Sequence, residues 1–518
     1  MESLSGKTYQ EELFSMVEEP NFYNKRSEIA TFYSGKKIFI TGGLGFLGRL
    51  IMEKLLRCCP DIKTVYLLIR AKKQQDPNTR FKEYFNDVIF DRLKKEQKDV
   101  EKKIILIEGD MNQLNLGLSE EDRKRIQDTN LIFHGAASVR FMDNIRFIVN
   151  TNIRGTRDLL MLAQEMKSLE AFVYISTAYS YCIHKKIEEK FYMPPMKTED
   201  IIELTEILSE DELDLITPKL LGNWPNTYAY SKAICEDTVR QYSNKIPSCI
   251  VRPSIVTSTE KEPITGWINN FYGVTGIAVG CARGVLRTLN CNDRLICDII
   301  PADYVVNNII AAAWDVAQER SILKSISPSN GKNNDLPADK EIPIYNVVSS
   351  VQRPINWATL ENNMKQNYFV YFLLTIFLHW IPAIIVDSLA YLSGRKPILL
   401  NIFRKIEKFK HVLNFFTLNE WEFSNDNVLK LWDKLSLVDK HNFFFNAADI
   451  DWQYYFEIYI RGIRVYLGKD PMETLEESKI YYRKLKIAYY TIKWMFYALI
   501  FWIIYSLIYS LFCTVFSL

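Results

Sequence analysis

The chain has 518 residues, too many for a single hydrophobic core, so we expect more than one domain. Charged residues make up 24% of the sequence and the formal net charge is +2, which gives no reason to expect a nucleic-acid surface. The nine cysteines form no C-x-x-C pair and the five histidines form no H-E-x-x-H motif, so we predict reduced thiols, a cytosolic setting and no metal site.

Short apolar runs alternate with helical patterns in the first two thirds of the chain. The predicted strands are Lys36–Ile40, Val65–Ile69, Ile104–Ile107, Leu131–Phe133, Phe172–Ile175, Ser248–Arg252 and Tyr345–Val348. Helical spacing follows the first strand at Leu47–Leu56 and the fourth at Asn152–Lys167. This alternation predicts an α/β fold with a doubly wound parallel sheet. The polar stretch Leu323–Pro343 is typical of a surface loop.

A glycine-rich string, Thr41 to Gly48, joins the first predicted strand to the first predicted helix. In a Rossmann-type fold such glycines allow a tight turn, a close approach of the backbone to a pyrophosphate, and close packing of helix and sheet. A glycine turn without a ligand is the alternative, but the strand and helix around the string favour a dinucleotide site. The predicted cofactor-binding residues here are Thr41, Gly42, Gly43, Gly45, Phe46, Leu47 and Gly48.

The end of the second strand indicates which nicotinamide cofactor binds. Arg70 and Lys72 stand where a carboxylate would favour NAD, and basic residues there accommodate the 2′-phosphate of NADP. A solvated basic face is the alternative, and we favour NADPH. The ends of the third and fourth strands complete the predicted cofactor site with Asp110, Met111, Ala136 and Ala137. His134, beside them, is interpreted as structural.

A catalytic group follows the fifth strand. Ser176 and Thr177 end this strand, and Tyr228 and Lys232 are spaced so that they share one helix face. We expect the Lys232 ammonium to lower the pKa of Tyr228, and the hydroxyl of Thr177 or Ser176 to stabilise the developing charge on a substrate oxygen. Tyr228 and Lys232 would also contact the cofactor. Arg252, Pro253 and Ser254, after the sixth strand, would form the nicotinamide side of the pocket.

The pattern becomes aromatic, basic and helical after residue 350. We predict an N-terminal segment at 1–34, a sheet domain at 35–350, a mainly α domain at 351–490 and a transmembrane helix at 494–518. The first 30 residues contain no apolar run, so a secretory signal is not expected.

Two apolar segments are candidates for contact with a membrane. Trp494–Leu518 contains no charged residue and is long enough to span a bilayer, with a buried amphipathic helix as the alternative. Basic residues precede this segment and none follows it, so the positive-inside rule predicts a cytosolic catalytic domain. Tyr368–Val386 is interrupted by His379 and Pro382, and we favour a helix in the membrane interface or at a substrate entrance over a second span.

Together these motifs resemble the extended short-chain dehydrogenase/reductase superfamily, and within it the alcohol-forming fatty acyl-CoA reductases of insect-like type. The strings that carry the resemblance are Phe39–Gly48, Val65–Arg70, His134–Phe141, Ile175–Tyr179, Pro225–Lys232 and Tyr459–Leu467. The resemblance covers nearly the whole chain, and the last string is specific because general reductases of the superfamily lack that domain. Cys182 departs from the family pattern, which more often has Asn there, without touching the proposed chemistry.

The resemblance implies that acyl-CoA and two NADPH give a primary fatty alcohol, free CoA and two NADP+, through an aldehyde and without a metal. It also implies a long-chain acyl-CoA substrate and a membrane facing the cytosol, the endoplasmic reticulum first, with peroxisome or lipid droplet as options. A sterol-type dehydrogenase of the same superfamily and a non-catalytic membrane scaffold are the alternatives. The sequence sets neither the acyl chain length nor the oligomeric state, for which a dimer is one option.

Overall fold

The structure is a computed structural model that describes residues 27–70, 76–141, 143–283, 286, 289–326, 341–360 and 380–516. The chain divides into two compact units, Met1–Gly462 and Ile463–Leu518, which we call unit 1 and unit 2. Unit 1 therefore contains the predicted sheet domain and most of the predicted helical domain. The domain boundaries near 350 and 490 stay a prediction.

The described strands of unit 1 form one large sheet and two small ones. They are β1 (Lys37–Thr41), β2 (Thr64–Ile69), β3 (Ile104–Glu108), β4 (Leu131–His134), β5 (Ala171–Ile175), β6 (Lys186–Ile187), β7 (Ser248–Pro253), β8 (Ile255–Thr257), β9 (Ile299–Pro301), β10 (Ile344–Val347) and β11 (Glu422–Phe423). Seven of them make a parallel sheet in the order β10-β7-β5-β4-β1-β2-β3. The order reverses between β1 and β4, which confirms the doubly wound topology and puts a ligand crevice at their carboxyl ends.

Each strand predicted for the large sheet is present, with its ends shifted by no more than one residue. The reason is visible in β2, where five of six residues are buried. Strands covered by helices on both faces read as continuous apolar runs, and such runs are easy to recognise in a sequence.

Helices lie on both faces of the sheet and make up most of the described helical part of unit 1. They are α1 (Glu28–Tyr33), α2 (Phe46–Cys58), α3 (Pro77–Phe85), α4 (Asp91–Glu96), α5 (Glu120–Arg125), α6 (Ile145–Ile148), α7 (Gly155–Gln164), α8 (Thr198–Ile207), α9 (Glu210–Leu221), α10 (Thr227–Tyr242), α11 (Gly273–Ala282), α12 (Ala302–Ile326), α13 (Trp357–Leu360), α14 (Ile381–Leu392), α15 (Leu399–Thr417), α16 (Asp426–Lys434), α17 (Leu437–Asn442) and α18 (Trp452–Gly462). A π-helical segment, Val149–Arg154, precedes α7, so the helix predicted at Asn152–Lys167 changes character at its start. The loop predicted to begin at Leu323 begins after Ile326, and residues 327–340 lie outside the described residues.

The small β11–β6 sheet and two contacts of α18 join the helical part of unit 1 to the part that contains the large sheet. β11 pairs with β6, and β8 pairs with β9. The hydroxyl groups of Tyr455 and Thr257 lie 2.6 Å apart. A side chain at Gly462 would place its Cβ 1.8 Å from the carbonyl oxygen of Gly266, so only glycine allows α18 to approach this loop.

Unit 2 consists mainly of α19 (Leu475–Phe516), a helix of 42 residues. Its stretch Met472–Tyr509, with the turn before it, is long and apolar enough to cross a membrane, and none of its most apolar window is buried. The span predicted at 494–518 falls in the second half of α19, except for the last two residues, which lie outside the described ones. Of the second predicted membrane segment, residues 368–379 also lie outside the described residues, and α14 covers the rest from Ile381.

Candidate functional site

The glycine string forms a tight turn between β1 and α2. Gly42 has a φ of +73°, and a Cβ there would lie 2.6 Å from the backbone nitrogen of Ala136, at the end of β4. A Cβ at Gly48 would lie 2.3 Å from the carbonyl oxygen of Gly42. Both positions therefore require glycine, because the turn, the helix and the end of the neighbouring strand touch through their backbones.

The amino end of α2 is open to an anion. Gly45 is the N-cap of this helix and makes no side-chain capping bond. Backbone N–H groups at a helix start lack intrahelical partners, and the helix dipole favours negative charge there. The cradle thus fits the pyrophosphate of a dinucleotide.

Two residues that the sequence reasoning missed support this turn from α3 and α2. The Tyr84 hydroxyl donates a 2.7 Å hydrogen bond to the carbonyl oxygen of Gly43. The Arg49 guanidinium lies 4.5 Å from the centre of the Tyr84 ring and pairs with Asp87 at 2.6 Å. No local sequence signal separates these residues from ordinary helix positions.

His134, at the end of β4, is fully buried and bonded through both ring nitrogens. Its Nδ1 lies 2.7 Å from the Thr41 hydroxyl and its Nε2 lies 2.8 Å from the Thr156 hydroxyl. Burial, followed by the nearby charge of Lys232, lowers the pKa of His134 to about 3. The ring is therefore neutral at pH 7 and fixes the ends of β1 and β4, in agreement with its interpretation as structural.

Basic side chains surround the end of β2. Arg70 is half exposed, and its Nε lies 3.8 Å from a carboxylate oxygen of Asp110. Arg80, on α3, donates a 2.7 Å hydrogen bond to the carbonyl oxygen of Arg70, which places a second guanidinium beside the first. The sequence reasoning missed Arg80 because it lies ten residues along the chain from Arg70. Lys72 lies outside the described residues.

The residues predicted at the ends of β3 and β4 are brought to the same edge of the sheet. Met111 is buried, and its carbonyl oxygen would lie 2.7 Å from a Cβ at Gly155. Ala136 and Ala137 are half-buried and follow the close approach to Gly42. This edge carries small residues and backbone, as a cofactor ribose requires.

Asn152, in the π-helical segment, joins this edge to α10, the helix that carries Tyr228 and Lys232. Its side chain accepts from the Ser138 backbone at 2.8 Å and donates to the Ser231 hydroxyl at 3.0 Å. Its carbonyl oxygen accepts from the Cys235 thiol at 3.2 Å, so Cys235 serves in packing. The sequence pattern gave no signal for Asn152, because one buried amide in a helix resembles any other polar position.

Tyr228 and Lys232 lie on one face of α10, as predicted. The Lys232 ammonium donates a 2.7 Å hydrogen bond to the carbonyl oxygen of Ile175, and it lies 6.0 Å from the centre of the Tyr228 ring. Burial lowers the pKa of Lys232 to about 8. Burial also raises the pKa of Tyr228, with a smaller contribution from Cys235. The expected lowering of the Tyr228 pKa is therefore wrong for this structure, because the ammonium is directed at Ile175 and desolvation of the phenol dominates.

Ser176 lies in a different environment from Thr177. Its hydroxyl donates a 2.5 Å hydrogen bond to Glu236, which also receives two hydrogen bonds from Arg252 at 2.6 and 3.0 Å. A hydroxyl has one proton to donate, so this contact argues against Ser176 as a donor to substrate. Arg252 is fully buried in the same ion pair and does not form the pocket wall predicted for it.

Thr177 keeps its hydroxyl proton more available. Its only described acceptor is the carbonyl oxygen of Pro253, at a long 3.4 Å. It also accepts from the Tyr179 backbone at 3.3 Å. Pro253 ends β7 beside β5, and Ser254 follows it with 6% of its surface exposed. Thr177, Pro253 and Ser254 thus meet at the predicted place, the carboxyl edge of the sheet.

An aromatic wall connects Tyr228 to the helical part of unit 1. The ring centres of Phe141 and Tyr228 lie 5.8 Å apart, and those of Phe141 and Phe416 lie 6.2 Å apart. Phe416, at the end of α15, also contacts Tyr179 at 5.4 Å and Trp421 at 5.9 Å. We call Phe141, Tyr179, Phe416 and Trp421 the aromatic wall. Pairing across so long a stretch of chain leaves no signal in one sequence.

The crevice and its Tyr–Lys pair define the class of reductases that use a nicotinamide cofactor. Comparisons with known proteins agree. Two family models, both described as "Male sterility protein", match the chain, an NAD-binding one at residues 40–309 and a Sterile one at residues 378–470. The chain is 35% identical to "Fatty acyl-CoA reductase wat" of Drosophila melanogaster, with 91% of this chain and 92% of that protein covered. It is 38% identical to "Fatty acyl-CoA reductase 1" of Mus musculus, with 88% of this chain and 90% of that protein covered.

Two solved structures share the fold. The terminal R domain of the myxalamid PKS-NRPS pathway is 19% identical with a TM-score of 0.53, and 85% of this chain and 95% of that chain align. The reductase (R) domain of a non-ribosomal peptide synthetase from Mycobacterium tuberculosis is 16% identical with a TM-score of 0.52 over the same shares. The chain belongs to the fatty acyl-CoA reductase family, an oxidoreductase family, which confirms the resemblance seen in its motifs.

Proposed function

We propose that this protein reduces long-chain fatty acyl-CoA to primary fatty alcohol with NADPH, releasing CoA. The observation that carries the proposal is the contact series from Tyr228 through Phe141 to Phe416. It puts an apolar wall, suited to an acyl chain, directly beside the proton-donating group. The Sterile match at 378–470 supports this substrate over a sterol-type dehydrogenase.

The residues fit NADPH as the cofactor, which supplies a hydride when bound. The amino end of α2 would hold the pyrophosphate, and the ends of β3 and β4 would hold the adenosine and ribose. Arg70 and Arg80 would hold the 2′-phosphate, because guanidinium groups bind phosphate in a bidentate geometry. Lys232 would contact the nicotinamide ribose.

Thr177 and Tyr228 would bind the substrate oxygen in both reductive stages. In the first, their hydroxyls stabilise the negative charge that appears on this oxygen as the thioester carbon becomes tetrahedral. Loss of CoA then regenerates a carbonyl, now an aldehyde, between the same two hydroxyls. In the second stage, Tyr228 gives its proton to the alkoxide oxygen, as a phenol with a raised pKa can do.

The membrane setting follows from unit 2. Its helix α19 carries Arg483, Lys484, Lys486 and Lys493 before the uncharged stretch that begins at Trp494. The positive-inside rule would then place the catalytic residues in the cytosol, with the endoplasmic reticulum as the membrane of first choice. The acyl-CoA substrate and the alcohol product both partition into such a membrane.

The stoichiometry of the reaction tests the proposal. The full-length protein in detergent would be given hexadecanoyl-CoA and NADPH, and NADPH loss, free thiol and alcohol would be measured together. We expect two NADPH and one thiol for each alcohol, and almost no product from Tyr228→Phe. Leu418→Ala, an exposed position near the aromatic wall, is the control. One NADPH for each product, or full activity in Tyr228→Phe, would contradict the proposal.

A further inference from the structure

The helical hairpin made by α14 and the start of α15 presents an apolar surface to solvent. We call this surface the hairpin face, and its residues are 50–80% exposed: Ile384, Ile385, Val386, Leu389, Leu392 and Ile398. Soluble proteins rarely expose so many contiguous aliphatic side chains unless a partner or a membrane covers them.

The hairpin face is held in place by a buried cap. Asp387 is on the inner side of α14, and its carboxylate accepts from the backbone nitrogens of Ile398, Leu399 and Leu400 at 3.1, 3.0 and 2.8 Å. These bonds lower the pKa of Asp387 and fix the turn between the two helices. Ala383, also on the inner side, is fully buried. The outward position of the apolar residues is therefore built into the fold.

The charges around the hairpin face have one sign. Arg395, Lys396 and Arg404 are exposed, and Asp387, already bound in the cap, is the one carboxylate between residues 380 and 404. Aliphatic side chains flanked by exposed cations suit the boundary between the head groups and acyl chains of a bilayer. A second copy of the same face would bring like charges together, which disfavours that partner.

We propose that the hairpin face binds the surface of a lipid bilayer that contains anionic lipids. The aliphatic residues enter the outer part of the acyl region, while Arg395 and Lys396 lie at the level of the lipid phosphates. This contact belongs to unit 1, so it differs from a crossing of the membrane by α19. It does not depend on the proposed reaction.

Photocrosslinking in the full-length protein tests this contact. The protein would be reconstituted in vesicles of alkyne-tagged phosphatidylcholine with phosphatidylserine, with p-benzoylphenylalanine replacing Leu389. The matched control carries the same group in place of Leu215, which is 81% exposed on α9 after an acidic first turn. We expect lipid adducts at Leu389 and few at Leu215. Adducts with a second copy, or with residues 361–379 of the same chain, in place of lipid would overturn the proposal.

The charge of the vesicle separates the electrostatic part from the apolar part. Arg395→Glu with Lys396→Glu should lower the lipid adduct yield at Leu389 about fivefold for each residue in vesicles with phosphatidylserine. In phosphatidylcholine alone the change should be small. The midpoint of thermal unfolding shows whether the double variant is folded, and an unchanged yield in folded protein would overturn the role given to the two cations.

Discussion

Ser176 and Glu236 form a buried hydrogen bond of 2.5 Å, while the only described acceptor for the hydroxyl of the next residue, Thr177, is the carbonyl oxygen of Pro253 at 3.4 Å. The two neighbours therefore differ in their contacts, although the sequence allowed either hydroxyl to bind the substrate oxygen. Glu236 lies on α10 one turn beyond Lys232, and its pairing with Arg252 anchors this helix to β7. Ser176 stabilises that anchor, whereas the proposed role of binding the substrate oxygen falls to Thr177.

Alanine substitutions of Thr177 and Ser176 should distinguish a role in the reaction from a role in stability. Thr177→Ala should lower kcat roughly 100-fold or more, because one donor to the developing oxyanion is lost. Ser176→Ala should cost about 2 kcal/mol of stability, because a hydrogen bond to a buried carboxylate is lost, and should leave kcat within a few fold. Alcohol formation and thermal unfolding would be measured on both variants. The reverse pattern would return the catalytic role to Ser176.

The buried Lys232 should give the reaction an alkaline limit. Its pKa is lowered to about 8, so the ammonium is present below this pH and is lost above it. The pKa of Tyr228 is raised, so the phenol keeps its proton through the same range. We expect kcat/KM for NADPH, which reports groups of the free enzyme, to fall about tenfold for each pH unit above 8.

Lys232→Arg is the control for this limit, because a guanidinium does not titrate in the range. Its activity should be lower but independent of pH between about 7 and 10. If kcat/KM for NADPH still falls above pH 8 in Lys232→Arg, the titrating group is not Lys232.

The two arginines near β2 should decide the choice of cofactor. Substitution of either Arg70 or Arg80 by alanine should lower kcat/KM for NADPH about tenfold, because one charged hydrogen bond to the 2′-phosphate is lost. The kcat/KM for NADH should stay nearly unchanged. The control is Arg123→Ala on α5, which breaks a surface ion pair with Glu165. Equal use of both cofactors by the unaltered protein would exclude a 2′-phosphate site, and an effect of Arg70 alone would exclude Arg80 from it.

Sequence patterns predicted those parts of the site that depend on short spacing. The glycine turn lies within eight residues, and Tyr228 and Lys232 are one helical turn apart, so local geometry sets their relation. Arg80 and Phe416 reach the site through tertiary packing, which one sequence does not encode visibly. The direction of the Tyr228 pKa was missed for a related reason: burial depends on the whole fold, whereas the neighbouring Lys232 was visible in the sequence.

The aromatic wall should set how the acyl chain is held. Phe416 is half-buried and packs against Phe141, which packs against Tyr228, so we expect its ring to shape the space beside the reacting carbonyl. Phe416→Ala should raise KM for hexadecanoyl-CoA about tenfold through lost apolar contact, and should shift the preference toward bulkier acyl groups. Phe416→Trp should favour shorter chains.

The KM values for NADPH distinguish a lost acyl contact from a damaged fold. Phe416 lies on the side of Tyr228 proposed for the acyl chain, so both Phe416 variants should retain the KM for NADPH of the unaltered protein, as should the control Leu418→Ala. Measuring alcohol formation across acyl-CoAs of graded length would give the preference of each variant. If Phe416→Ala, like the control Leu418→Ala, kept the chain-length profile of the unaltered protein, the acyl chain would run along another surface of unit 1.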